Sequence, residues 1–119
     1  MRLLRDAIVC FQYAERIKSE LIIATKLLEQ LETLKDSELE GAKKLMLSFL
    51  GALESEIKMA RSVSGQKNFE QVATKIWEAT ERTRVNEYEE AFRCISEAIS
   101  ATTTSGQSAL KLLKDNGVF

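Results

Sequence analysis

From Leu3 to Leu31 the chain sets an apolar residue at each step of an alternating four-three spacing: Leu3, Ala7, Cys10, Ala14, Ile17, Leu21, Ala24, Leu28 and Leu31. Residues three and four apart share one side of a 3.6-residue turn, so nine consecutive matches describe a single long helix with a continuous seam. Nothing later in the chain opposes helix. Proline is absent, where about six would be expected at ordinary usage. The five glycines are then the strongest punctuation. The expected fold is all-α: one antiparallel bundle domain over residues 1–119.

The punctuation divides the chain into rods. Helix 1 is expected over residues 3–34, roughly 48 Å at 1.5 Å per residue. Its seam is rich in small residues, which let a neighbour approach closely. Leu4, Ile8, Phe11 and Ile22 form a second apolar stripe about 100° round the helix. Lys35-Asp36-Ser37-Glu38 is the first break, and Ser37 with Glu40 has the form of a capping box. Helix 2 is expected over 38–63, with Leu39, Ala42, Met46, Phe49, Leu50, Leu53, Ile57 and Ala60 inward. Gly41 and Gly51 lie inside it and suggest close packing against another helix, since each is otherwise disfavoured by about 1 kcal/mol relative to alanine. Gly65 supplies the left-handed residue that ends helices, and Asn68 is the expected cap of the next.

Residues 67–103 admit two readings. Phe69, Val72, Ala73, Ile76 and Trp77 make one apolar face, and Tyr88, Ala91, Phe92, Ile95, Ala98, Ile99 and Thr102 another. Between them the spacing runs 76, 80, 84, 88, a stutter that locally unwinds a coiled coil. With no glycine or proline nearby, the favoured reading is one long, slightly distorted helix. This gives three long rods plus a short C-terminal helix over 107–115, the hydroxyl-rich Thr102–Gly106 being a poor place to continue helix. The alternative is a four-helix up-and-down bundle with a break near Asn86. Asn116-Gly117-Val118 has the form of a Schellman ending, Val118 folding back onto Leu113.

Composition narrows the chemistry. The chain has no histidine. That removes His–carboxylate metal pairs, the commonest general base, haem attachment through Cys-x-x-Cys-His, and Ser–His or Cys–His nucleophiles. The formal net charge is −1 and no segment is strongly basic, so nucleic acid is not an expected partner. The longest apolar run is Ala7–Phe11, far short of the roughly 20 residues that span a bilayer. No membrane association and no export signal are expected. Cys10 and Cys94 read as buried structural thiols, and a cytoplasmic location follows from this cysteine usage.

Carboxylates remain. Glu78-x-x-Glu81 and Glu87-x-x-Glu90 are i, i+3 pairs of the kind that hold Mg²⁺ through oxygen ligands. They resemble the E-x-x-E pairs of the all-α nucleotide pyrophosphohydrolases, though the E-x-x-D element of that family is missing. The resemblance implies a Mg²⁺-dependent enzyme acting on nucleotides through these four glutamates. On one continuous helix the pairs would point about 180° apart and converge only with a break near Asn86. The plainer reading is a solvated face laced with Glu78–Arg82 and Glu89–Arg93 pairs.

The reading favoured over the hydrolase is a non-enzymatic, self-associating bundle that acts as an interaction or scaffold module and needs no cofactor. Its expected form is a homodimer, joined through Leu4, Ile8, Phe11 and Ile22, because an exposed apolar patch usually marks an interface.

Overall fold

A computed structural model, describing residues 2–118, contains four helices. They are α1 (Arg2–Leu31), α2 (Asp36–Ser64), α3 (Asn68–Arg84) and α4 (Tyr88–Asp115). Each packs on its neighbours in sequence, and α1 with α4 closes the ring. The extents of 55 × 20 × 17 Å are those of a bundle two helices wide. The chain runs up and down. Arg16 of α1 meets Glu56 of α2 while Asp6 lies beside Gly65, and Cys10 of α1 lies against Ser105 of α4.

The helix 1 seam forms the core as its spacing predicts. Ala7, Cys10, Ala14, Ile17, Leu21, Ala24, Leu28 and Leu31 are all buried, and only Leu3, near the start, is out in solvent. From α2 come Met46, Leu50, Leu53, Ile57 and Ala60, from α3 Phe69, Val72 and Ile76, and from α4 Ala91, Ile95, Ala98 and Leu113. Trp77 falls at the edge of its predicted apolar face and is 54% exposed.

The expected single rod over 67–103 is in fact two helices, as in the four-helix alternative. Asn86 adopts the left-handed conformation at φ 66°. The Glu87 N–H then reaches the Arg82 carbonyl at 2.8 Å and the Asn86 N–H the Thr83 carbonyl at 3.1 Å, the double bond of a Schellman ending with asparagine where glycine is usual. Asparagine is the non-glycine residue that best tolerates this conformation. Its Oδ1 also accepts from Tyr88 Oη at 2.7 Å and Lys43 Nζ at 3.1 Å, tying the turn to α2. Asn86 therefore closes α3 and does not cap α4.

The expected break at Thr102–Gly106 is absent, and with it the separate helix over 107–115: α4 runs straight through. The reason is tertiary. Thr102, Ser105 and Gly106 are buried, and a Cβ added at Gly106 would stand 3.2 Å from the Ala14 Cβ. The hydroxyls of Thr102, Thr104 and Ser105 bond back to the carbonyls of Ala98, Ser100 and Ala101. Small side chains whose own polar groups are satisfied allow α4 to lie close against α1, and that packing outweighs their weak helix propensity.

Other local expectations divide similarly. Gly65 is left-handed (φ 71°), as is Gly117 (φ 73°), and the Val118 N–H reaches the Leu113 carbonyl at 2.9 Å as the tail motif predicts. The Ser37–Glu40 capping box does not form: α2 starts at Asp36, with Lys35 in the cap position and no side-chain cap bond. Asn68 is the first residue of α3, with Lys67 before it and again no side-chain cap bond. Helix 1 ends at Leu31, three residues early, in a turn closed by Thr33 N–H to the Gln30 carbonyl at 3.0 Å. Gly41 and Gly51 do not mark close packing: both face solvent, and a Cβ on either would meet nothing within 4 Å.

Candidate functional site

The α1–α2 side of the bundle departs most from an ordinary charged helix surface. Leu27, Gln30, Leu31 and Leu34 of α1 and its following turn, with Ala42, Leu45, Met46 and Phe49 of α2, line a groove of about 360 Å³. No charged side chain lines it. Leu45 is 75% exposed, Leu27 42%, and Ile23, one turn before Leu27, 49%. Along α2 the exposed line continues at heptad steps from Leu45 through Ala52 to Met59, with Ser48 and Ser55 beside it. Apolar surface of this kind around an uncharged groove is uncommon where the only role is to meet water.

Higher on the same seam stands a charged cluster. Glu20 of α1 and Glu56 of α2 are within hydrogen-bonding reach of one another, with Arg16 beside both. Arg16 Nε is 2.9 Å from Glu56 Oε1 and 3.7 Å from Glu20 Oε1. Each of these Oε1 atoms is sealed from water and accepts no hydrogen bond. Burial is the main cause that pushes the Glu20 carboxyl up to about 7, followed by the hydrogen bond to Glu56 and the Glu56 charge, while Arg16 opposes them. The three residues attract no attention in the sequence. They flank the seam, where charged residues are the rule, and only the register of α1 against α2 brings the two carboxyls together.

The structure separates the residues of the predicted interface stripe. Leu4 and Phe11 are half-buried and pack against the bundle's own core. Ile8 and Ile22 remain at the surface, 39% and 42% exposed. The four candidate metal-binding glutamates are dispersed among different partners. Glu78 pairs with Lys75 at 3.8 Å and accepts from the Cys94 thiol at 3.7 Å. Glu81 pairs with Arg84 at 3.3 Å, Glu87 with Arg82 at 2.6 Å, and Glu90 with Arg93. Among the described residues no three carboxylate or thiol side chains converge as a metal site requires.

Two further features are plain. Trp77 lies over an open groove of about 550 Å³ between α2 and α3, but its cations are engaged, Lys58 with Glu54 and Arg61 with Glu70, both at 2.9 Å. Cys10 and Cys94 are both buried and unpaired by disulfide. Burial raises both thiols above their ordinary value, the opposite of what a reactive thiolate needs. Among the described residues no helix is long and apolar enough to cross a membrane.

No protein-family model, curated protein or solved structure matches this chain.

Proposed function

We propose that this protein is a non-enzymatic helical bundle that binds a second copy of itself through the α1–α2 face and serves as an interaction module. The observation that carries this reading is the apolar surface of this face: an uncharged groove flanked by exposed Leu27 and Leu45, with Ile23 and Met59 exposed farther along the two helices. A second copy suits it because the α2 line is nearly symmetric about its middle. Leu45 and Met59 stand one heptad either side of Ala52, so a two-fold axis at Ala52 sets each Leu45 against the partner's Met59. The small Ser48, Ala52 and Ser55 between them let the two helices come close. Two-fold pairing through one self-complementary patch is the commonest route to a homo-oligomer. The homodimer thus keeps its place in this reading, on a different flank of α1 from the Ile8–Ile22 stripe.

Size exclusion with light scattering at micromolar concentration should report twice the 13.4 kDa chain mass. Leu45→Glu should return the protein to monomer, whereas Ile8→Glu on the opposite flank should leave the dimer intact. A wild-type chain that stays monomeric across its elution peak, or a dimer that survives Leu45→Glu, would overturn the reading.

A further inference from the structure

We infer that Glu20 and Glu56 form a proton-operated latch across the α1–α2 seam: one proton shared between the two carboxyls holds the helices together, and its departure weakens the seam. The inference concerns residues of one copy and stands apart from self-association.

The geometry sets the problem that a proton solves. Two carboxyl groups from facing helices meet beside a single guanidinium, so with both ionised the cluster carries one uncompensated negative charge. Water reaches only the outer part of the cluster: the inner oxygens, Glu20 Oε1 and Glu56 Oε1, are both buried and accept no hydrogen bond. Arg16 does not resolve this. Its Nε contact to Glu56 Oε1 lacks hydrogen-bond alignment although the atoms are 2.9 Å apart. Its one hydrogen bond to the pair runs from Nη2 to Glu56 Oε2 at 3.4 Å. A proton taken from solvent by Glu20 turns one carboxylate into an O–H donor aimed at the other. That removes the excess charge and supplies the missing bond in one step, the arrangement by which like carboxylates share a site.

The surroundings add nothing that would substitute. Glu56 from α2 and Arg16 from α1 itself are the charged groups acting on Glu20, and α4, on the other flank of α1, directs none at it. On α2 the nearest other carboxylate in sequence, Glu54, is engaged with Lys58 at 2.9 Å. The direction of the pH effect follows. The folded chain holds the Glu20 proton up to about pH 7, whereas the unfolded chain releases it near the ordinary glutamate value of about 4.3. Between those values only the folded state is protonated, so stability is greatest at the acid end and falls as pH rises. Above the folded value both states are ionised and the curve levels out. Because the chain has no histidine, no other side chain with an ordinary ionisation titrates between about pH 5.5 and 7.

The test is urea unfolding of the full chain across this window, at concentrations where light scattering finds one species throughout. The folded-to-unfolded ratio of the wild type should fall by up to about tenfold per pH unit to near pH 7 and then level. Glu20→Gln keeps a donor facing Glu56 and cannot titrate, so its curve should be flat, and Glu56→Gln should flatten it as well. Carbon NMR of the Glu20 carboxyl in the wild-type protein gives a reading that needs no variant to fold: its midpoint should lie near 7. A wild-type curve flat from about pH 5.5 to 7, a slope unchanged in Glu20→Gln, or a Glu20 midpoint at the ordinary glutamate value of about 4.3 would each overturn the latch. A latch that operates in a strictly monomeric protein would remove only the dimer.

Discussion

Toward α4, helix α1 offers Cys10 and Ala14 to Ser105 and Gly106, so close that a Cβ added at Gly106 would stand 3.2 Å from the Ala14 Cβ. Toward α2, the same helix and the turn after it offer Glu20, Leu27 and Leu34 to Glu56, Ala42, Leu45 and Phe49, and leave a groove of about 360 Å³. One flank is close-packed through small residues whose hydroxyls are satisfied within their own helix. The other mixes large apolar residues that do not meet fully with carboxyls that meet too well. A bundle built for stability alone would treat both flanks like the first, since packing to the density of an organic crystal is what a folded interior ordinarily achieves. Both proposals fall on one side of this difference: the flank that is incompletely closed is the one with apolar surface left over and with the paired carboxyls.

The sharpest way to break this comparison is to spoil the close-packed flank. Ala14→Leu inserts a side chain where Gly106 leaves no room, and should destabilise the protein by roughly 1–3 kcal/mol in chemical denaturation. An unchanged midpoint would show that the α1–α4 flank is no tighter than the other. A second substitution addresses the polar flank. Arg16→Gln withdraws the only positive charge beside Glu20 and Glu56, and should lower stability by about 1 kcal/mol above pH 7, where both carboxyls are ionised. Near pH 5, with a proton between them, the loss should be smaller, so the mutant's stability should go on falling to a higher pH before it levels. The mildest effect belongs to the surface. Gly51→Ala adds a methyl that meets nothing within 4 Å and should stabilise α2 by roughly 0.5–1 kcal/mol. A loss of stability there would mean that the partner copy packs directly against Gly51.

What the sequence makes legible is whatever depends on spacing along one helix. The seam of α1 needed only the four-three rule, and the left-handed ends at Gly65 and Gly117 needed only the one residue type that adopts them freely. Asn86 was harder. It takes the same conformation at some strain, so it signals a helix end less strongly than glycine, and a stutter in the apolar spacing could be read as distortion or as a break. Thr102–Gly106 misleads for the opposite reason: intrinsic preference says loop, while contact with α1 makes small and hydroxylated residues suitable inside a helix. The candidate site was the least legible part. Glu20 and Glu56 are thirty-six positions apart, and nothing in the spacing of either helix announces that their registers bring them together. The hydrolase reading of Glu78, Glu81, Glu87 and Glu90 rested on local spacing, whereas the helix break sets those side chains among four different basic partners.

The closed ring of contacts has a further consequence for how the molecule assembles. Three of its four seams join helices that follow one another through turns of a few residues, and can form as local hairpins with little entropy lost in closing the loop. The fourth joins α1 to α4, the two ends of the chain, and both intervening helices must be in place before Ala14 can find Gly106. Closure over so long a stretch of chain carries the largest entropic cost of the four. The best-packed seam in the native protein is therefore the last to zip up and the one whose parting opens the ring, so a steric fault at Ala14 should reveal itself in how fast the bundle comes apart, with the rate of its early assembly little changed.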